Sequence, residues 1–214
     1  MTQDLSPASG HIGVQDNLPS ARRNIEPVFF SGAFDAHDVD VAQLVPWKIR
    51  ATKVHAQELS SAEGVRLLQR LWARDRHMGL LDPAGVFLME PYFNFARVPA
   101  GEDLIRQGEY GSFMLVLLGG TIAVDRVQPS GERVHIADTR PGDILGEMSL
   151  LDSGVRFSAC RTATECQIGV LTAESMDAMI AAEPETAAAL ITLLARKLSL
   201  RLRVVSGRLS GETH

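Results

Sequence analysis

A chain of 214 residues with 45% hydrophobic content is long enough for one packed domain and an appendage. Its formal charge of -5 excludes a generic basic grip on the phosphates of DNA or RNA, leaving room only for a local basic spot. The opening stretch MTQDLSPASGHIGVQDNLPS has no basic segment followed by an apolar core, and no run approaches the ~18 uninterrupted apolar residues of a membrane span.

A soluble, unexported and cytoplasmic chain is therefore expected, with no membrane and no nucleic acid among its partners. Two cysteines, Cys160 and Cys166, are too few for a disulfide framework and read as buried reduced thiols.

Residues 1–54 mix Ser, Pro, Gly, Asn and Asp with short apolar islands and hold no sustained period. They read as a partly disordered N-terminal extension. The acidic cluster DAHDVD lacks the spacing of a calcium loop, which needs ligands at alternate positions, a Gly at the sixth and a Glu at the twelfth. A solvated acidic loop is the simpler reading, and no metal is expected.

Residues 55–91 read as a helical segment packing on the domain that follows. Ser60-Ser61-Ala62-Glu63 fits a capping box, with Val65, Leu68, Leu71 and Trp72 at helical spacing and Arg66, Arg70 and Arg74 on the wet side. A shorter helix over about 80–90 ends near Pro91.

From Phe93 the period switches to short strands: FNFARV, DLIRQG, FMLVLL, TIAVDRV, ERVHIAD, FSACRTA and CQIGVL. Glycines at 101, 108, 119–120, 131 and 142 punctuate them at the spacing of an all-β sandwich, barrel or roll. Thr172 then caps a short helix carrying Met176, Met179 and Ile180, and Pro184 opens a long helix to about Val205.

One stretch raises a chemical question. GDILGEMSLLDSGVRFSAC places Glu147 and Arg156 among apolar residues and glycines, where an unpaired charge is expensive to bury. The segment from Gly146 to Leu151 reads as a tight turn into about one turn of helix, whose first N–H groups have no intrahelical acceptor. Arg156 after the Asp152-Ser153-Gly154 turn would add a fork matched to phosphate oxygens, and the Ser158 hydroxyl could complete a cradle. Glu147 would repel an anion but accept hydrogen bonds from sugar hydroxyls. The alternative is that Glu147 and Arg156 pair with each other inside the roll, and the residues alone leave the two readings level.

The segment from Phe95 to Val205 resembles the cyclic-nucleotide-binding domain shared by catabolite activator protein and the regulatory subunits of protein kinase A. VPAGEDLIRQGEYGSFMLVLLGGTIAVDR has that family's opening rhythm, and GDILGEMSLLDSGVRFSA is similar to its phosphate-binding cassette. The resemblance implies an α+β fold: a jelly-roll-like antiparallel β-roll over residues 92–207, flanked by N-terminal helices and closed by a long C-terminal helix. It implies that Glu147 takes the ribose 2′-hydroxyl, Arg156 the cyclic phosphate, and the backbone of Leu145, Gly146, Met148 and Ser149 the floor, with Phe157 and Ser158 beside them. The chain departs from the family in placing Phe157 directly after Arg156, where a small residue is usual, and Ser158 one place later. In the final helix Arg201 and Leu202 stand where the activator branch carries hydroxyls that read adenine. Arg offers donors only, which suit acceptor edges such as guanine O6 and N7.

These features together predict a non-catalytic sensor that binds a cyclic nucleotide, cyclic AMP first and cyclic GMP or cyclic di-GMP next, and signals through its helices to a protein partner. No common catalytic motif is visible, and His135 alone among six histidines lies in strand text, so a metal enzyme is not expected. Only nine residues follow Val205, too few for a helix-turn-helix. The rival reading is a β-roll adaptor that has lost its ligand. In the final helix Ala187, Ile191, Leu194, Leu198 and Val205 form a seam suited to a homodimer, and Leu190, Leu193, Leu200 and Val204 form a second stripe for the roll. Arg201 falls on the seam. It either snorkels to solvent or is held there by a bound nucleotide as its acceptor.

Overall fold

The computed structural model describes residues 29–36, 44–74 and 83–209. Most of the calcium-like acidic cluster lies outside them. Helix α1 (Ser31–Ala36) and α2 (Trp47–Lys53) precede a two-residue strand β1 (Gln57–Glu58). Helix α3 (Ser61–Trp72) begins as expected, with the Ser60 hydroxyl accepting the Glu63 N–H, and buries Val65, Leu68 and Trp72. Helix α4 (Pro83–Leu88) ends in a 3-10 turn at Glu90–Tyr92.

The roll follows as β2 (Phe93–Val98), β3 (Asp103–Ile105), β4 (Phe113–Gly119), β5 (Ile122–Val127), β6 (Arg133–Asp138), β7 (Ile144–Leu145), helix α5 (Glu147–Asp152), β8 (Ala159–Thr162) and β9 (Cys166–Thr172). One sheet runs β1-β2-β9-β4-β7 and the other β3-β8-β5-β6, with antiparallel pairing throughout. This is an α+β molecule built on an antiparallel roll. Helix α6 (Ala173–Ala182), capped by Thr172, and α7 (Pro184–Leu209) complete it.

Strand β4 explains why its text is apolar without alternation. Its residues Met114, Val116 and Leu118 belong to the core under the helices, while Phe113, Leu115 and Leu117 fill the inside of the roll. A strand buried on both faces has no polar side to show. Leu190, Leu193 and Leu194 bring α7 onto the outer core with Met176 and Met179 of α6.

Three features differ from the sequence reading. Helix α2 arises in a stretch without a period, yet Trp47, Arg50 and Val54 are buried. The strands β1 and β7 are two residues each, too short to carry a pattern. On α7 the proposed division of faces does not hold. Ala187 and Leu194, assigned to a partner seam, are buried in the chain's own core, whereas Leu200 and Val204, assigned to the roll, are exposed together with Leu202 and Val205.

Candidate functional site

The turn into α5 organises the site. Gly146 sits at φ 75°, a left-handed conformation that an L side chain seldom adopts, and it turns the chain from β7 directly into α5. Ser153 closes the helix in the same conformation at φ 56°. Between them Glu147 is buried and Met148 stands at the rim.

Arg156 is drawn in from the other side. Its guanidinium donates to the carbonyl oxygens of Gly146 at 2.8 Å and Phe113 at 2.6 Å and lies 4.6 Å from the centre of the Phe113 ring. Its backbone is fixed as firmly, with its N–H on the Glu109 carbonyl and its own carbonyl accepting from Gly108. A Cβ at Gly111 or at Gly146 would overlap the guanidinium, so both glycines make room for it. Burial pulls the Arg156 pKa down to about 10, which still leaves the group charged at neutral pH.

Glu147 does not pair with Arg156. Its carboxylate accepts from Arg201 of α7, and Arg201 also donates to the Ile144 carbonyl at 2.9 Å. The structure therefore replaces the internal Glu147–Arg156 pair with a link between the turn and the last helix. Burial pushes the Glu147 carboxyl above its ordinary value, against the opposing attraction of Arg201. Arg201 has its acceptors within the chain, so it neither points free into solvent nor needs a ligand to hold it.

All nine residues singled out in the sequence, Leu145, Gly146, Glu147, Met148, Ser149, Arg156, Phe157, Ser158 and Arg201, line one cavity of about 110 Å³. Ile105, Val124 and Cys160 supply its apolar remainder. The Cys160 thiol is pushed up to about 12 by burial and is no nucleophile at neutral pH. A carboxylate able to accept from hydroxyls, a fixed cation and backbone N–H groups on an apolar wall can hold a sugar phosphate.

The sequence reading missed the support behind Arg156. Val45 donates to the Tyr110 carbonyl, Tyr110 bridges Val155, and the buried Arg50 of α2 pairs with Glu109. This chain of contacts ties the N-terminal segment to the loop that grips Arg156. The available signal was the spacing of Trp47 and Arg50 on one turn of helix, too short to stand out.

The cyclic nucleotide-binding domain family matches residues 95–183. Residues 95–183 belong to that family. The chain is 32% identical over 118 residues to the cyclic AMP receptor protein of Thermus thermophilus, covering 55% of each chain. It is 26% identical over 118 residues to a CRP-like cAMP-activated global transcriptional regulator of Mycobacterium tuberculosis, covering 55% of this chain and 53% of the relative. The chain thus spans about half the length of these curated relatives. A cyclic nucleotide-binding domain from Methylobacillus flagellatus superposes with a TM-score of 0.67 at 21% identity, over 74% of this chain and 90% of that one, which speaks to the fold. No helix among the described residues is long and apolar enough to cross a membrane, and none of their His, Cys, Asp or Glu groups gather as a metal site.

Proposed function

We propose that this protein is a cytoplasmic, non-catalytic sensor that binds a cyclic nucleotide and passes the signal through its helices to a protein partner. The observation that carries the reading is the meeting of Glu147 and Arg156, from opposite ends of one cassette, in a single cavity with Arg201 of α7. Arg156 would hold the cyclic phosphate and Glu147 the ribose 2′-hydroxyl. Cyclic AMP is the first candidate, on the names of the receptor protein and regulator that the domain resembles. Cyclic GMP and cyclic di-GMP follow.

The output would run through α7. A ribose hydroxyl and Arg201 seek the same carboxylate, so ligand would displace Arg201 from Glu147 and release the outer half of α7. That half carries Leu200, Leu202, Val204 and Val205 exposed, a surface suited to a second copy of the chain. Ligand and dimer would then influence each other by the same factor.

A second reading has its own support. A cavity of about 110 Å³ lies below the ~300–1,000 Å³ usual for small-molecule sites, and Arg201 already occupies Glu147. A chain that fills its own site would serve as a ligand-free adaptor. A thermal-shift screen with cyclic AMP, cyclic GMP and cyclic di-GMP separates the two. At ~100 times its dissociation constant a true ligand stabilises the fold by ~2.7 kcal/mol. No shift with any of the three supports the adaptor.

A further inference from the structure

The family match begins at residue 95, yet one residue that shapes the surroundings of Arg156 lies before it, on α2. Tyr110 bridges Leu44 in parallel and Val155 in antiparallel register, so its loop is the middle of three short segments. The antiparallel bridge sets Glu109 opposite Arg156. The backbone bonds agree: the Arg156 N–H donates to the Glu109 carbonyl at 2.8 Å, and the Arg156 carbonyl accepts from Gly108 at 2.9 Å. Opposite charges that face each other across such a ladder ordinarily attract and pair.

Here they do not. Among the described residues Glu109 has its ion pair with Arg50, and Arg156 directs its donors to the carbonyls of Gly146 and Phe113. Arg50 is 2% exposed, its other acceptor is the Asp103 carbonyl at a distant 3.4 Å, and its Nε has no hydrogen-bond partner among the described residues. A cation buried in this way depends on its anion. The reverse does not hold, since the Glu109 side chain is 27% exposed and can turn without losing all of its water. Both charges are felt at the cavity. After burial, which lowers the Arg156 pKa most, Arg50 disfavours the charge on Arg156 and Glu109 favours it.

A carboxylate and a phosphate seek the same guanidinium fork, so a Glu109 turned toward Arg156 would compete with an anionic ligand. Resting on the cyclic-nucleotide reading, we infer that Arg50 is a positioning residue for the anion site: by holding Glu109 it keeps an in-chain carboxylate off Arg156 and leaves that guanidinium open to a ligand phosphate. Arg50 does this from α2, without touching the ligand. Glu147 is taken up in the same manner by Arg201. Each carboxylate beside Arg156 is thus claimed by an arginine from a flanking helix, one on α2 and one on α7.

The test is calorimetric titration of cyclic AMP and cyclic GMP into wild type, Arg50→Met, Glu109→Gln and the double variant, each first checked for folding by circular dichroism. Arg50→Met frees Glu109 to pair with Arg156 and should weaken binding about tenfold. The double variant has no carboxylate to turn inward and should recover to within about twofold of wild type. Full-strength binding by Arg50→Met overturns the inference. So does a double variant as weak as Arg50→Met, which makes Arg50 a support of the fold and nothing more. If Arg50→Met does not fold, Glu109→Gln decides: affinity kept at the wild-type level supports the role, and a loss of about tenfold overturns it by showing that the ion pair itself sustains binding. Failure of the wild type to bind either nucleotide overturns the sensor reading, and this role with it.

Discussion

Glu147 is the residue whose chemistry is most exposed to test. Burial raises its pKa from 4.5, so the folded chain holds this proton more tightly than the unfolded chain does. Its contribution to stability is fully present below pH 4.5 and is lost as pH rises through the raised folded value. Glu147→Gln should therefore flatten the pH dependence of the urea midpoint above that point, and an unchanged slope would assign the dependence to other groups. If the carboxylate also reads a ribose hydroxyl, a 2′-deoxy ligand should bind the wild type more weakly by about 1–3 kcal/mol, and Glu147→Gln should lose most of that difference. Arg156 poses a different problem, because its buried guanidinium donates to two backbone carbonyls. Arg156→Leu leaves both without that donor and should cost about 1–3 kcal/mol of stability, whereas Arg156→Lys keeps the charge and loses the fork.

At the scale of elements, the link between α5 and α7 makes the last helix part of the site. Arg201 is about half exposed, so its pair with Glu147 is partly screened by solvent. Arg201→Ala should raise affinity for a cyclic nucleotide by about 2- to 10-fold, as calorimetry would read it, since the ligand no longer competes for the carboxylate. A fall in affinity would show instead that Arg201 contacts the ligand. The long strands and helices were legible in the sequence because each carries a period, a cap or a glycine stop: α3 from Ser60, α6 from Thr172, β2 from FNFARV. The cassette was legible because Gly146-Glu147, the apolar pair, the glycine turn and Arg156 fall in an order that resembles the family's. The pairing of Glu147 was not, because Arg201 lies 54 residues away and only the packing of α7 on the roll brings them together. Helix α2 was hidden for a related reason: its anchor is the buried Arg50 paired with the partly exposed Glu109, and a buried arginine leaves no apolar stripe to read.

On the scale of the whole molecule, the inner half of α7 is committed to the chain's own core and the outer half to nothing among the described residues that buries Leu202 or Val205, which are 66% and 52% exposed. Sedimentation should reveal a concentration-dependent dimer that Leu202→Glu and Val205→Glu abolish without lowering the melting temperature, because neither side chain supports the monomer fold. A dimer that survives both changes would place the interface elsewhere. The proposed sensor needs a cyclic nucleotide in the cavity shared by the cassette and α7, and one measurement addresses that directly: calorimetric titration of cyclic AMP, cyclic GMP and cyclic di-GMP into the wild type and into folded Arg156→Lys. The account predicts saturable binding of at least one of them to the wild type, weakened at least tenfold in Arg156→Lys. Absence of binding to the wild type, or equal binding to both proteins, would contradict it.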